Sequence, residues 1–474
     1  MRFFKPLICL VVALSFFTVT VTVAKTNPEK KNKASTVKKA ATKKTHTKKS
    51  DPKKPATTTA AAKPPVIPQP PEPITFDEID DYVKRFATQG LHRAGSRIDR
   101  RTAKVLQQTL KRGGLKNVVL EKFTFKRPIS RGAMISMKID KINSRMMPGM
   151  PYLGSRSTGG MSRRAELGFL GQDGKIPVMH LYVTPSSATP RLRAKSLRQF
   201  KEAVASGRYP AVIGITQGGY TGLLPLMVDL DQKYKTPAIL ISSSFGNFVE
   251  IYAEINNPVT YRSGIRYEHA KAYNVVAKVE GSDPQLKPLV VVTSRSGWWT
   301  VAAERGTGVA AWLAVAQRVA KSKPKRTVIF VSTTGQEYYS LGLKRFLRAN
   351  PNLETNAYGW IYIGANIGAK PKPHYIVQSS SRQMRRMAER AFEKNGVEKI
   401  RWIDRAMSLV KPLGDAYAHS QHSLIIAATN NRCYRMTCDK WPSAVNVDAT
   451  LAFAKSLNTV IDKLAQTAVQ TRTE

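Results

Sequence analysis

Beyond Ala270 the chain alternates short apolar runs with longer amphipathic stretches, a rhythm that few folds can accommodate. It predicts strands at Leu289–Thr293, Thr327–Val331, Trp360–Ile363 and Leu424–Ala428. Helices are expected between and after them, at Gly306–Lys321, Ser340–Arg348, Arg382–Asn395 and Val447–Ala465. Strands that are apolar on both faces belong in a sheet covered by helices on each side, so the class is α/β with a mostly parallel sheet. Such sheets bind ligands beyond the carboxyl ends of their strands, and function is expected in the segments that follow each strand.

Upstream, Asp77–Phe86 and Ser96–Arg112 read as helices, the second closed by Gly113-Gly114, and Asn117–Phe125 alternates like a strand. Residues 128–269 change character, with many Gly, Ser and Met, short β runs at Lys175–Val183, Ala211–Ile215 and Ala238–Ile241, and a helical stretch at Leu197–Ala205. The expected plan is one α/β domain built from residues 74–127 and 270–474, interrupted by a small β-rich insert at 128–269.

Arg2 and Lys5 precede an apolar run, Leu7–Ala24, laid out as a signal peptide with a small residue before the cut, or as an uncleaved anchor. Export is expected in either case, to a periplasmic, extracellular or outward-facing membrane-anchored location. Residues 25–73 follow as a linker. Its first part, Lys25–Lys63, holds thirteen lysines and two acids among Ala, Thr and Pro, and Pro64–Pro73 is stiffer. With almost no apolar side chains, the lysine-rich part cannot offset its chain entropy by burial and is expected to be disordered. It is either a solvated spacer or an adhesive for an anionic polymer or membrane surface. The whole chain carries a formal net charge of +44, so the folded part is also basic. No nucleic-acid module accompanies that charge. Beyond Cys9, in the leader, the cysteines are Cys433 and Cys438, a poor metal site and a candidate for a small disulfide loop.

Several segments, from about Phe76 to the C-terminus, together carry a resemblance. Arg93-Ala94-Gly95-Ser96 precedes a helix, Tyr273-Asn274-Val275-Val276-Ala277 reads as a strand, and Thr327–Leu343 ends an apolar run in Gly335-Gln336-Glu337. In order and spacing they resemble the two-zinc aminopeptidases of metallopeptidase family 28, which include leucine aminopeptidases, glutamate carboxypeptidases and transferrin receptors. The resemblance implies a peptidase-like α/β domain, with residues 128–269 as a protease-associated-like insert. It also implies two zinc ions held by two His, two acidic ligands and a bridging Asp, with a Glu as general base. Zinc takes N or O ligands at about 2.0–2.2 Å, and the metal pair would polarise the peptide carbonyl and lower the pKa of a bound water.

Aligned on that resemblance, the chain has lost most of these groups. Ser294 stands at a ligand His and Ser296 at the acid that orients it. Glu304 stands at the bridging Asp and is followed by Arg305, Gln336 occupies the general-base position, and Glu337 retains a ligand. Ala365 replaces an acidic ligand, with Asn366 one register away, and Arg435 stands at the last ligand His. An amide cannot take a proton from water, and a guanidinium repels a metal cation. Catalytic residues and bound metal are therefore not expected, and zinc enters only if the chain is an atypical member. Glu304 and Glu337 either face water or are neutralised by Arg435 with Arg305 or Arg295.

Trp298 and Trp299 follow a strand end and are either core or the lining of a cleft, to which Arg305, Glu337 and Arg435 are further candidates. His419 and His422 form either a surface metal pair or a solvated one. Ser294 and Ser296 lack a nucleophile turn and an adjacent base, and there is no phosphate loop and no dinucleotide fingerprint. The expected function is that of an exported pseudo-peptidase that binds a protein, a peptide or an anionic envelope polymer. The alternative is an atypical metal-dependent exopeptidase.

Overall fold

The computed structural model describes residues 72–403, 420 and 422–468. The apolar leader, the lysine-rich segment and His419 lie outside them.

Thirteen strands form the framework. The upstream seven are β1 (Asn117–Lys138), β2 (Ser144–Pro151), β3 (Arg163–Gly168), β4 (Ile176–Tyr182), β5 (Val212–Gln217), β6 (Ala238–Ser242) and β7 (Pro258–Val279). The rest are β8 (Leu289–Ser294), β9 (Val328–Thr333), β10 (Gly359–Ile363), β11 (His374–Ser379), β12 (Ile400–Ile403) and β13 (Leu424–Thr429).

The α/β sheet runs β1-β7-β9-β8-β10-β13-β11-β12. Its centre, β9-β8-β10-β13, is parallel, because helices carry the chain back between those strands. The flanks are antiparallel: β7 against β9, and β11 against β13. β8 and β10 are buried along their whole length, as expected for strands covered on both faces. Period-two alternation divides β8 between two cores. Leu289 and Val291 pack with Trp312 of helix Thr307–Ser322 and Phe453 of helix Val447–Gln466. Val290 and Val292 pack with Phe346 and Leu347 of helix Leu341–Ala349.

β1 and β7 are each 22 residues long and pair almost end to end, from Asn117–Lys278 to Met137–Val259, with one register shift between Ser130 and Ala133. The boundaries expected at residues 128 and 269 therefore fall inside continuous strands. Past them, the pairings β1-β2, β2-β6, β6-β5, β5-β4, β4-β3 and β3-β7 return to the β7–β1 ribbon, so the upstream strands close a circuit. The closure is partial, since β3 meets β7 through Arg163–Glu166 and β4 through Leu167–Gly168 alone. Helix Pro190–Ser206 links β4 to β5, with Thr189 as its cap.

Arg326 anchors the C-terminal helix. It is fully buried, its Nε donates to the Leu464 carbonyl at 2.9 Å, and Nη1 and Nη2 donate to the carbonyls of Lys287 and Thr467, each at 2.6 Å. The guanidinium lies 3.4 Å over the Tyr358 ring. Three carbonyls, two of them at a helix C-terminus, are gathered by one cation, and the Leu464 carbonyl also accepts the Thr467 N–H. Arg326→Ala is expected to lower unfolding free energy by about 3 kcal/mol in urea denaturation, with the slope unchanged.

Candidate functional site

The loops after β8, β9, β10 and β13 converge at one end of the sheet, and a buried ion pair ties together those after β8 and β9. Asp99, in the first turn of helix Arg97–Arg112, lies 3.1 Å from the Arg295 guanidinium, and both side chains are at most 1 % exposed. The other Asp99 oxygen accepts from the Gly95 N–H at 2.8 Å, and Thr334 Oγ1 donates to the first at 2.9 Å. Arg295 also donates to the carbonyls of Ser332 and Tyr273. Four separate chain segments meet on this pair.

Ser294 and Ser296 flank Arg295 in the sequence. Ser296 Oγ accepts from the Gly335 and Gln336 N–H groups at 2.6 and 3.1 Å and donates to Glu337 Oε2 at 2.7 Å. Glu337 Oε1 accepts from the Ala94 N–H at 2.7 Å. Burial pushes the Glu337 carboxyl up to about 7, against these hydrogen bonds, which lower it.

Beside it, residues Ala302–Gly306 form a single π-turn. The Asp439 carboxylate closes this turn, accepting from the N–H groups of Ala303 and Glu304 at 2.7 and 2.9 Å. Burial, and then the nearby Glu304 charge, push Asp439 up to about 7. Glu304 Oε1 pairs with Arg305 at 3.0 Å, both side chains no more than 5 % exposed. Burial opposes the Arg305 charge, yet Glu304, Tyr434, Tyr362 and Glu337 around it raise its proton affinity above the ordinary value. Gln336 Oε1 accepts from Ser340 Oγ at 3.0 Å and from the Tyr362 hydroxyl at 3.4 Å. The buried Ser294 Oγ, Glu304 Oε2 and Arg305 Nε have no hydrogen-bond partner among the described residues. Val301, Tyr339, Ser340, Asn366 and Arg435 all adopt positive φ, from 49° to 66°, so backbone strain gathers at these strand ends.

Counter-charge is arranged differently from the sequence expectation of a network centred on Arg435. Arg305 takes Glu304, whereas Arg295 pairs with Asp99. Arg435 has no carboxylate at ion-pair distance among the described residues; its guanidinium lies 5.3 Å over the Tyr434 ring and faces a cleft. Glu337 is held by an N–H and a hydroxyl instead of a cation. Asn366 is buried and bonds the Ala428 carbonyl and Asn431, while Ala365 offers only backbone.

Trp298 is 2 % exposed and sits in the core against Tyr338. Trp299 is half-buried and donates to the Arg435 carbonyl at 2.8 Å. His422 is buried, stacked on Tyr358 with ring centroids 4.1 Å apart, and not at the surface as expected. Burial pushes the His92 imidazole down to about 3, leaving it a neutral structural group bonded to the Phe86 carbonyl. Cys433 and Cys438 are joined in a disulfide. Asp99 and Arg295 escaped notice as a pair because no spacing rule links them. The acid in a first helical turn and the charge inside a strand end were the available signals.

These residues do not fit a zinc pair. The lone pairs of Glu337 and Asp439 point at N–H and hydroxyl donors, Glu304 shares its pocket with a guanidinium, and a serine hydroxyl is a weak zinc ligand. Among the described residues, no three His, Cys, Asp or Glu side chains lie close enough to hold a metal together.

Residues 274–446 match the family model described as Peptidase family M28. A zinc aminopeptidase from Bacillus subtilis superposes with a TM-score of 0.65 at 14% identity, covering 84% of this chain and 97% of that one. An M28 peptidase precursor from Shewanella amazonensis gives 0.64 at 16% identity, covering 84% and 99%. An aminopeptidase from Aneurinibacillus sp. strain AM-1 gives 0.61 at 14%, covering 83% and 94%. At these identities the likeness concerns the fold. Among curated proteins, a vacuolar membrane protease of Lachancea thermotolerans is 34% identical over 76 residues, which span 16% of this chain and 8% of that protein.

Removing one partner of the buried ion pair strands the other, so Asp99→Ala should lower unfolding free energy by about 3–5 kcal/mol in chemical denaturation. A pH effect follows from Glu337, which keeps its proton up to about 7 when folded, against 4.5 for the ordinary side chain. The folded state binds that proton more tightly. The stability it contributes is full below the lower value and is lost as pH rises through the upper one. Glu337→Gln should therefore make the fall in melting temperature between about pH 5 and pH 8 shallower than in the parent chain.

Proposed function

We propose that this chain, whose residues 274–446 match the model of Peptidase family M28, is an exported pseudo-peptidase that binds a protein, a peptide or an anionic envelope polymer without hydrolysing it. One observation carries the reading: a buried guanidinium, Arg305, is held against the acid that the resemblance assigns to the metal bridge. A covalently attached cation there meets the electrostatic demand of Glu304 and repels a divalent ion. Gln336 adds that no general base stands where water would be activated.

Export is supported by the leader Leu7–Ala24 and by the Cys433–Cys438 disulfide, which persists in oxidising compartments. The curated relative named for a vacuolar membrane agrees with a place at or beyond a membrane. Among the described residues, no helix is long and apolar enough to cross one. The Lys25–Lys63 segment and a net charge of +44 favour an anionic neighbour.

The second reading, an atypical metal-dependent exopeptidase, draws on the partnerless Glu304 Oε2 and Ser294 Oγ, which leave donor atoms for a single ion. Protein purified without chelators separates the two. We expect zinc well below one per chain and no chelator-sensitive hydrolysis across a panel of aminoacyl-anilides. Stoichiometric zinc with turnover abolished by a chelator would establish the second reading.

A further inference from the structure

A cleft of about 270 Å³ lies between helix Pro190–Ser206 and the strand-end residues Tyr339 and Arg435. Its apolar wall includes Leu197, Leu226 and Met227, and no carboxylate lines it. Arg193 and Arg435 both line it, and neither has a carboxylate at ion-pair distance among the described residues. Arg193 Nε is buried without a hydrogen-bond partner.

Other features add positive charge. Helix Pro190–Ser206 begins with Arg191, Arg193 and Lys195 and has no acid in its first turn, so cations crowd the positive end of its dipole. Behind Tyr339, Lys201 Nζ donates to the tyrosine hydroxyl at 2.7 Å. Burial and the neighbouring Arg435 pull the Arg193 guanidinium below its ordinary proton affinity. Tyr339 and Arg435 reach the cleft from backbones at φ of 50° and 61°, so strain is spent to present them. Like charges gathered around an apolar slot are costly without an anion between them.

We infer that this cleft binds an organic oxyanion, a carboxylate or a phosphate monoester, that carries a short apolar body. The two guanidiniums would clasp the oxyanion through paired N–H donors, and the wall at Leu197, Leu226 and Met227 would take the apolar part. The inference deepens the binding reading and rests on it by naming what the cleft accepts.

Calorimetric titration of the full chain with hexanoate, hexyl phosphate, hexylamine and inorganic phosphate tests it. Hexanoate and hexyl phosphate should bind, the tighter of them identifying the oxyanion. Hexylamine should not bind, and inorganic phosphate should bind at least tenfold more weakly. Arg193→Gln and Arg435→Gln should each weaken the favoured anion about tenfold or more, with melting temperatures confirming that the variants fold. Hexylamine binding as well as hexanoate, equal affinity for inorganic phosphate, or folded variants that bind undiminished would each overturn the inference, and the amine and phosphate arms need no variant. Zinc and hydrolysis measured on the same preparation separate the two failures. A protein free of zinc that ignores these anions loses the cleft assignment alone, whereas a hydrolysing zinc protein loses the pseudo-peptidase reading.

Discussion

The Asp99–Arg295 pair sits where four segments of the chain must be held in register before any site can exist at the strand ends. One oxygen of Asp99 holds the Gly95 N–H, the other takes Thr334 and Arg295, and the two terminal nitrogens of the guanidinium also donate to the carbonyls of Tyr273 and Ser332. At this burial each charge is tolerable only because the other is present and because further hydrogen bonds reach both. Fixing Gly95 also fixes Ala94, whose N–H holds Glu337. Fixing Arg295 places Ser296, whose hydroxyl gathers the Gly335–Gln336 turn. The pair is structural in its own right, and the disposition of the acids in the site follows from it.

Those acids are quieted by three different means. Glu304 receives a guanidinium, Asp439 receives two N–H groups of a π-turn, and Glu337 receives one N–H, one hydroxyl and, below neutral pH, a proton. A metallopeptidase needs the opposite condition, with ionised carboxylates whose lone pairs converge on a cation. Here a cation that cannot dissociate takes one acid and the backbone takes much of the rest. The site is thereby neutralised from within the chain, with Gln336 and Ser294 at two of the positions that the resemblance assigns to the chemistry.

The central sheet was legible because its strands are apolar on both faces and its helices keep their period, so Leu289–Thr293 and Val447–Ala465 stand out within any window. The full length of β1 and β7 was hidden by Pro128, Gly132 and Gly264, which locally read as punctuation. Pairing along almost their whole length, with each other and with β2, β3 and β9, keeps those strands extended. β2, β3, β11 and β12 lack a clear alternation and take their conformation from neighbours. In the site, replacements were readable one at a time, since each is a change of donor chemistry at an aligned position. Which charge met which was not readable: Arg295 turns to Asp99, nearly two hundred residues upstream. Arg193 and Arg435 likewise approach one cleft from distant parts of the chain without any local pattern to announce it.

The cleft also shows why arginine, not generic basicity, matters in this molecule. Lysines of the Lys25–Lys63 segment raise the long-range potential and would draw anions of any shape toward the protein, an effect that salt screens. Arg193 and Arg435 act at contact distance, where a planar fork of donors distinguishes an oxyanion from a mere negative charge. Their neighbours are apolar or hydroxylic, so no internal acid competes for those donors. Recognition of that kind weakens less with ionic strength than adsorption through the lysine segment does, because the guanidinium of Arg193 is partly withdrawn from solvent. Salt thus divides the two sources of affinity: the bulk charge governs how often an anion arrives, and the two arginines govern whether it stays.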